Sequence, residues 1–264
     1  MPQEQSKPIQ VRPSSIGHGM GIFAARDIAV GTVLLVEPAM WEVKVLEHER
    51  MMDDAVQAAR AAGSTSMSAT EALKAAYDRL YRESLLAELK GHAVGRSERQ
   101  HETLLRGLLS LSSDVPGTQK QRAVSKDKYQ RAAACFDNNS FFSHTAGSHD
   151  VHRIFETASR FQHSCAPNVE AFPMHGKFVA IATSPCATGS ELFIDYCGAS
   201  NLQDGSARRA LLSEKRGFHC ACSRCRGENP KPSPRLGVLG YVAVLFALLR
   251  VWVGLLLGRP VQGR

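Results

Sequence analysis

At 264 residues, with 44% hydrophobic and 22% charged residues, the chain has the make-up of one large globular domain or two small ones. That excludes a mainly disordered, collagenous or disulfide-stapled miniature fold. The net charge of +7 is concentrated: residues 206–235 hold eight Lys/Arg against two Asp/Glu, and the remainder is close to neutral. A basic stretch of this kind suits an acidic partner, a nucleic acid or an anionic membrane face equally.

Residues 1–15 are polar and carry Pro2, Pro8 and Pro13, which reads as a loose arm, with 1–10 its flexible part. No apolar stretch follows Met1-Pro2-Gln3-Glu4, so no secretory signal is expected. Seven cysteines in a reducing compartment favour metal binding or catalysis over disulfides. Next comes Gly17-His18-Gly19-Met20-Gly21, which can cradle a ligand through backbone N–H groups or simply turn the chain between strands. Its spacing is neither a dinucleotide fingerprint nor a phosphate loop. Apolar runs at 21–25 and 32–36 predict short strands, with a turn at Ala29-Val30-Gly31.

Residues 45–112 are rich in Ala, Leu, Glu and Arg at helical spacing, with one face on Leu73, Ala76, Tyr77 and Leu80 and another on Leu104, Leu105, Leu108 and Leu109. About three helices are expected there, with loops near 62–68 and 91–97, a break at 112–118 and a further helix over 126–135. Strands follow at 169–172, 177–182 and 192–195, the first two joined by a turn at Met174-His175-Gly176. A charged helix over 207–215 leads into Cys220-Ala221-Cys222-Ser223-Arg224-Cys225. Three thiolates at this spacing match structural zinc chemistry, with Cys135, Cys165, Cys186 and Cys197 as candidates for the fourth ligand. The segment Arg160–Asn168 places His163 two residues from Cys165. Pro167 there favours a polar loop over a Cys/His nucleophile. A linker over 227–236 precedes 22 nearly unbroken apolar residues at 237–258, interrupted by Arg250.

In this order, four segments resemble a SET-domain protein lysine methyltransferase. They are Gly17–Ala24, Arg160-Phe161-Gln162-His163-Ser164-Cys165-Ala166-Pro167-Asn168, Glu191-Leu192-Phe193-Ile194-Asp195-Tyr196, and the cysteine-rich Gly217–Cys225. The helical insert and Asn138-Asn139-Ser140-Phe141 resemble the SET-and-MYND branch and its fungal relatives that lack the MYND finger. No cysteine precedes Cys135 to build such a finger. One position departs from the family pattern: Gln162 stands where Asn is usual.

The resemblance implies an α+β fold. A β-clip SET core of small, mostly antiparallel sheets would span 11–197, with a helical insertion over about 45–135 and a zinc-binding post-SET tail at 206–226. It implies transfer of a methyl group from S-adenosylmethionine to a lysine of a protein substrate, histone or non-histone. His18, Gly19, Met20, Asn139, Gln162 and His163 would hold the cofactor, with Phe218 near the adenine or lining the lysine channel. Tyr196 would be the catalytic residue and also touch the cofactor, while Glu191 and Asp195 would be structural. Cys165 would join Cys220, Cys222 and Cys225 on the zinc ion. The longer amide at Gln162 raises the alternative of a catalytically weak SET module acting as a scaffold. Direct nucleic-acid binding is not expected, because Phe218 is the only aromatic residue in the basic stretch. Residues 237–258 are long enough to span a bilayer at 1.5 Å per residue, predicting a transmembrane anchor with the SET domain in the cytoplasm. A tail that is not an anchor would leave the chain in the nucleus or cytoplasm.

Overall fold

The computed structural model describes residues 7–16, 19–45, 69–90, 98–111, 128–145, 149–227 and 238–257. The first elements are β1 (Ile9–Pro13), β2 (Met20–Ala24), β3 (Val33–Pro38) and β4 (Trp41–Val45), followed by helices α1 (Ala69–Leu89), α2 (Glu98–Leu111) and α3 (Lys128–Asn139). Then come β5 (Phe141–Thr145), β6 (His149–Ile154), β7 (Gln162–His163), β8 (Val169–Met174), β9 (Lys177–Ala182) and β10 (Glu191–Ile194). Helices α4 (Gly205–Arg216), α5 (Ser223–Arg226) and α6 (Val238–Leu256) close the sequence. His18, the expected helix before residue 62, the loops near 62–68, 91–97 and 112–118, and the 227–236 linker apart from Gly227 lie outside the described residues. The chain divides into two compact units, one from Met1–Pro38 and Glu156–Arg264, the other from Ala39–Ser113 and Gly117–Phe155, with residues 114–116 assigned to the first.

In the first unit, two small sheets carry the framework. One has the order β1-β2-β10-β7, with β10 antiparallel to β2 and parallel to β7. The arm therefore ends earlier than expected: Ile9–Pro13 pairs along β2 from Ile9–Ala24 to Pro13–Met20, and Arg12 lies 4.1 Å over the Phe23 ring. The other sheet has the order β3-β9-β8. Its middle strand β9 is buried from Phe178 to Ala182, which accounts for an apolar run without alternation. The β8–β9 hairpin turns on His175 and Gly176, both at positive φ (47° and 73°), the conformation a tight two-residue hairpin needs.

Helix α4 shows why its sequence folds locally. Asp204 caps it by accepting from the Ala207 N–H at 2.7 Å, Lys215 and Arg216 occupy its last turn, and Gly217 ends it at φ 70°.

The expected transmembrane span is corrected. Among the described residues no helix is long and apolar enough to cross a membrane. Helix α6 instead lays Val244, Ala247 and Val251 onto Val33, Val179 and Ile181 of the β3-β9-β8 sheet. One face of the helix is thus occupied by protein. At its edge Gly31 has φ 80°, and a Cβ there would sit 2.9 Å from the Ala243 Cβ.

The second unit, read as a helical insertion, also contains a three-stranded sheet of order β4-β6-β5. Trp41, Val43 and Ile154 from this sheet share a core with Leu85 and Leu89 of α1, Leu105 and Leu108 of α2, and Phe136 of α3. Several of its polar groups are paired: Arg153 donates to Glu42 at 2.6 Å, Tyr81 to Asp137 at 2.7 Å, and Tyr77 lies 3.0 Å from His152 Nε2.

The docking of α6 generates a paired prediction. Gly31→Ala and Gly189→Ala both force a side chain into positive φ, at a cost of about 1 kcal/mol or more. Only at Gly31 does the new methyl also strike α6, since nothing lies within 4 Å at Gly189. Gly31→Ala is expected to lower the urea midpoint further than Gly189→Ala; equal losses would argue against a docked α6.

Candidate functional site

The site grows from β10. Its first residue, Glu191, is buried and accepts from the Ser14 hydroxyl at 2.8 Å, the Ser15 N–H at 2.8 Å and the Ser15 hydroxyl. This ties the chain entering the glycine loop to the sheet. Gly21 leaves the necessary room, because a Cβ there would fall 2.2 Å from Glu191 Oε1. Gly19 turns the backbone at φ 64° just before β2. Asn168 straddles β10 from the other side, donating to Glu191 O at 3.0 Å and accepting from the Phe193 N–H at 2.7 Å.

A second carboxylate sets the entry into β7. Glu37 accepts from the N–H groups of Thr157 and Ala158, both at 2.8 Å, at the start of the short helical turn Ala158–Arg160. That turn delivers Phe161, Gln162 and His163 to β10. The Gln162 side chain donates to Met20 O at 2.8 Å, so its amide bridges the glycine-loop end of β2 to β7. His163 is buried, and its Nδ1 accepts from the Tyr196 N–H at 3.2 Å while Nε2 lies 3.3 Å from Cys165 Sγ. Burial pulls the His163 pKa below the ordinary imidazole value, against the nearby Asp195 carboxylate that raises it. Asp195 itself accepts from the N–H groups of Ala199 at 3.1 Å and Ser200 at 2.8 Å, and so serves the turn after β10.

Tyr196 stands at the centre of the cluster. Its hydroxyl donates to Phe161 O at 2.6 Å, and burial pushes its pKa above that of an ordinary tyrosine. With the proton committed to that carbonyl, the phenolic oxygen keeps its lone pairs for a donor. The rings of His163 and Phe218 lie 5.4 and 6.2 Å from it, the Phe218 ring nearly edge-on. Arg216 places its guanidinium 5.7 Å from the Tyr196 ring centre. Arg216, Glu37 and Asn168 were not singled out from the sequence. Arg216 carries no local signal, whereas Asn168 and its neighbour Pro167 belong to a segment already noted.

Beside this cluster, Cys165, Cys220, Cys222 and Cys225 bring their sulfurs within 4.8 Å of one another. Cys165 Sγ lies 3.9 Å from that of Cys220 and 3.6 Å from that of Cys225. A tetrahedral ion bonded at about 2.3 Å to each sulfur separates its ligands by about 3.8 Å, so donor set and spacing fit zinc. Hydrogen bonds from Cys165 and Cys220 hold the Cys222 thiol below its ordinary pKa. Of the other candidates, Cys135 donates to Leu108 O in the second unit, Cys186 donates to Ser184 O, and Cys197 is half-buried outside the group. Three arginines of the basic stretch bond to backbone carbonyls. Arg224 donates to Cys165 O at 2.8 Å and Ser200 O at 2.7 Å, buried Arg208 donates to Leu202 O at 3.0 Å, and Arg209 to Cys225 O at 3.3 Å. These guanidinium groups hold the cysteine segment to the rest of the unit.

The expected site residues Gly19, Met20, Gln162, His163, Tyr196 and Phe218, with the four cysteines, therefore all lie in the first unit. Asn139 belongs to the second unit, where it ends α3 and its amide donates to Cys135 O at 2.8 Å.

The sequence model of the family described as SET domain matches residues 19–197. A Saccharomyces cerevisiae protein named potential protein lysine methyltransferase SET6 is 33% identical over 75 residues, 28% of this chain and 20% of the yeast protein. The match thus spans about a fifth of that relative's length. Among solved structures, the SET domain of LSMT bound to lysine and AdoHcy is similar at TM-score 0.40 and 14% identity, over 82% of this chain and 54% of that one. Rubisco LSMT bound to sinefungin and monomethyllysine is similar at TM-score 0.40 and 15% identity, over 82% and 53%. The chain spans about half the length of both. Since the family match runs from the turn at Gly19 through Tyr196 and covers more than half of the sequence, this chain belongs to the SET-domain family.

Proposed function

We propose that the chain is an S-adenosylmethionine-dependent protein-lysine N-methyltransferase, of the SET-and-MYND-like branch that lacks the MYND finger. Membership of the SET family and the yeast relative's name support the activity. The observation that carries it is the orientation of Tyr196, whose proton is spent on Phe161 O while its oxygen stays free to accept. A neutral lysine amine is a donor, so this oxygen can hold it by an N–H and aim the nitrogen lone pair elsewhere. A Tyr hydroxyl with a raised pKa is a poor base, which makes Tyr196 an orienting group.

S-adenosylmethionine, when bound, supplies an electrophilic methyl group on a sulfonium. Gly19, Met20, Gln162 and His163 would hold its amino-acid and adenosine parts, with Phe218 beside them in the same unit. That methyl group would pass to the lysine nitrogen, which the Tyr196 hydroxyl oxygen would hold and orient. A free lysine has a pKa of about 10.4 and is almost wholly protonated at neutral pH. The Arg216 cation beside Tyr196 disfavours a second positive charge there and so favours the reactive neutral amine. Cys165, Cys220, Cys222 and Cys225 would hold one zinc ion, and the cysteine segment would thereby fasten Phe218 and Arg216 beside the Tyr196 ring. The substrate is a protein presenting a lysine, with histone and non-histone proteins both in the class.

The weak-module alternative rests on Gln162. Its amide already reaches Met20 O at 2.8 Å, which supports reading the longer side chain as an accommodated feature.

Three outcomes test this reading. Tyr196→Phe is expected to bind the cofactor within about twofold of wild type by calorimetry, yet to lose about 100-fold in methyl transfer. Undiminished transfer from radiolabelled cofactor would remove Tyr196 from its role. Gln162→Asn, shorter by one methylene, loses the bond to Met20, worth about 1 kcal/mol, and is expected to weaken cofactor binding about fivefold. Tighter binding would mark Gln162 as the impaired version. Purified protein is expected to carry about one zinc per chain by atomic emission, and Cys222→Ser to lose it. A zinc-free wild-type protein with full activity would refute the metal assignment.

A further inference from the structure

Among the described residues, the outward face of α6 exposes a continuous row of large apolar side chains. Leu245 is 63% exposed, Phe246 62% and Leu249 53%, and Trp252, Val253 and Leu257 continue the face. At 3.6 residues per turn, these six fall within an arc of about 140°, opposite Val244, Ala247 and Val251 on the sheet. The helix is therefore apolar on both sides, with one side satisfied by protein. Arg250 is exposed and falls at the margin of the outward arc, where a long side chain can lift its charge to a polar boundary.

We propose that this face docks on an anionic lipid surface, with α6 lying in the headgroup plane and the β3-β9-β8 sheet behind it. The charge that flanks the helix in sequence favours this occupant. From residue 227 to 264 the sequence carries Lys231, Arg235, Arg250, Arg259 and Arg264 against Glu228 alone. A second copy of the chain would bring this positive charge against itself, which disfavours the pairing. An anionic bilayer complements it, while the acyl boundary takes Leu245, Phe246 and Leu249. Trp252 suits the interface, with a large apolar ring and one N–H donor. Such docking needs no spanning helix and leaves the buried contacts of Val244 and Val251 intact.

The test uses the full chain without cofactor, so its result is independent of methyl transfer. Flotation is measured with vesicles of phosphatidylcholine plus phosphatidylserine and of phosphatidylcholine alone. Wild type is expected to float with the anionic vesicles and to bind them about tenfold more weakly in 0.5 M salt, because screening removes the electrostatic part. The double variant Phe246→Glu, Leu249→Glu is expected to stay unbound with an unchanged urea midpoint, since both side chains point outward. In a Trp41→Phe background Trp252 is the sole tryptophan, and its emission should shift to the blue and be quenched by brominated lipid. Should that background unfold, Trp252→Phe in wild type reports the same signal by its loss. Absence of flotation, equal flotation by the double variant, or an unquenched Trp252 would overturn the proposal. So would a doubled mass by light scattering that the double variant abolishes without vesicle binding, which would assign the face to a second copy.

Discussion

A single buried carboxylate organises the approach to the site. Glu191 opens β10, pairs opposite Phe23 of β2, and spends its oxygens on Ser14 and Ser15. Burying a charged carboxylate is costly unless donors surround it, and the donors here belong to the segment just before the glycine loop. The need to satisfy Glu191 therefore places that loop, and Gly21 is the residue whose missing side chain makes the approach possible. From the same strand, Phe193 and Ile194 pair with Gln162 and His163, so two segments about thirty residues apart meet at one edge.

The cysteine tail extends this logic. Cys165 lies two residues beyond His163, and Cys220 two beyond Phe218. Bringing their sulfurs together fixes the aromatic side chains that precede them, and the His163 and Phe218 rings end 6.0 Å apart. Part of the basic charge of the region is internal in purpose. Arg208, Arg209 and Arg224 satisfy backbone carbonyls around the cysteines, so a charge surplus that resembles a nucleic-acid surface is in part the scaffold of the tail. Arg216 stands apart from these three, with its cation directed over the Tyr196 ring.

The helical unit follows different rules. Its helices were legible because leucines recur at helical spacing, and Leu105 and Leu108 are indeed buried with Leu85, Leu89 and Phe136. Its sheet was not legible. Strand β6 reads His149-Asp150-Val151-His152-Arg153-Ile154, a polar run that becomes a strand because distant residues satisfy it: Glu42 for Arg153 and Tyr77 for His152. Strand β1 was hidden for a related reason, since an edge strand carrying Gln10, Arg12 and Pro13 resembles an unpaired arm until β2 is beside it.

By itself, the sequence determined the elements whose signals are local. The β8–β9 turn needs positive φ at adjacent positions, α4 has its own cap and terminal glycine, and the C-x-C-x-x-C spacing brings three cysteine sulfurs together within six residues. The order of the family's segments also singled out Gly19, Met20, Gln162, His163, Tyr196 and Phe218, which all fall in the first unit. Tertiary structure alone decided what depends on a partner far along the chain. It directed the Gln162 amide to Met20, the Tyr196 proton to Phe161 and the Arg216 cation to Tyr196. It also decided the fate of the apolar C-terminal segment. Hydropathy records how much a helix gains by leaving water but not which apolar phase receives it, and Val33, Val179 and Ile181 claim one face of α6.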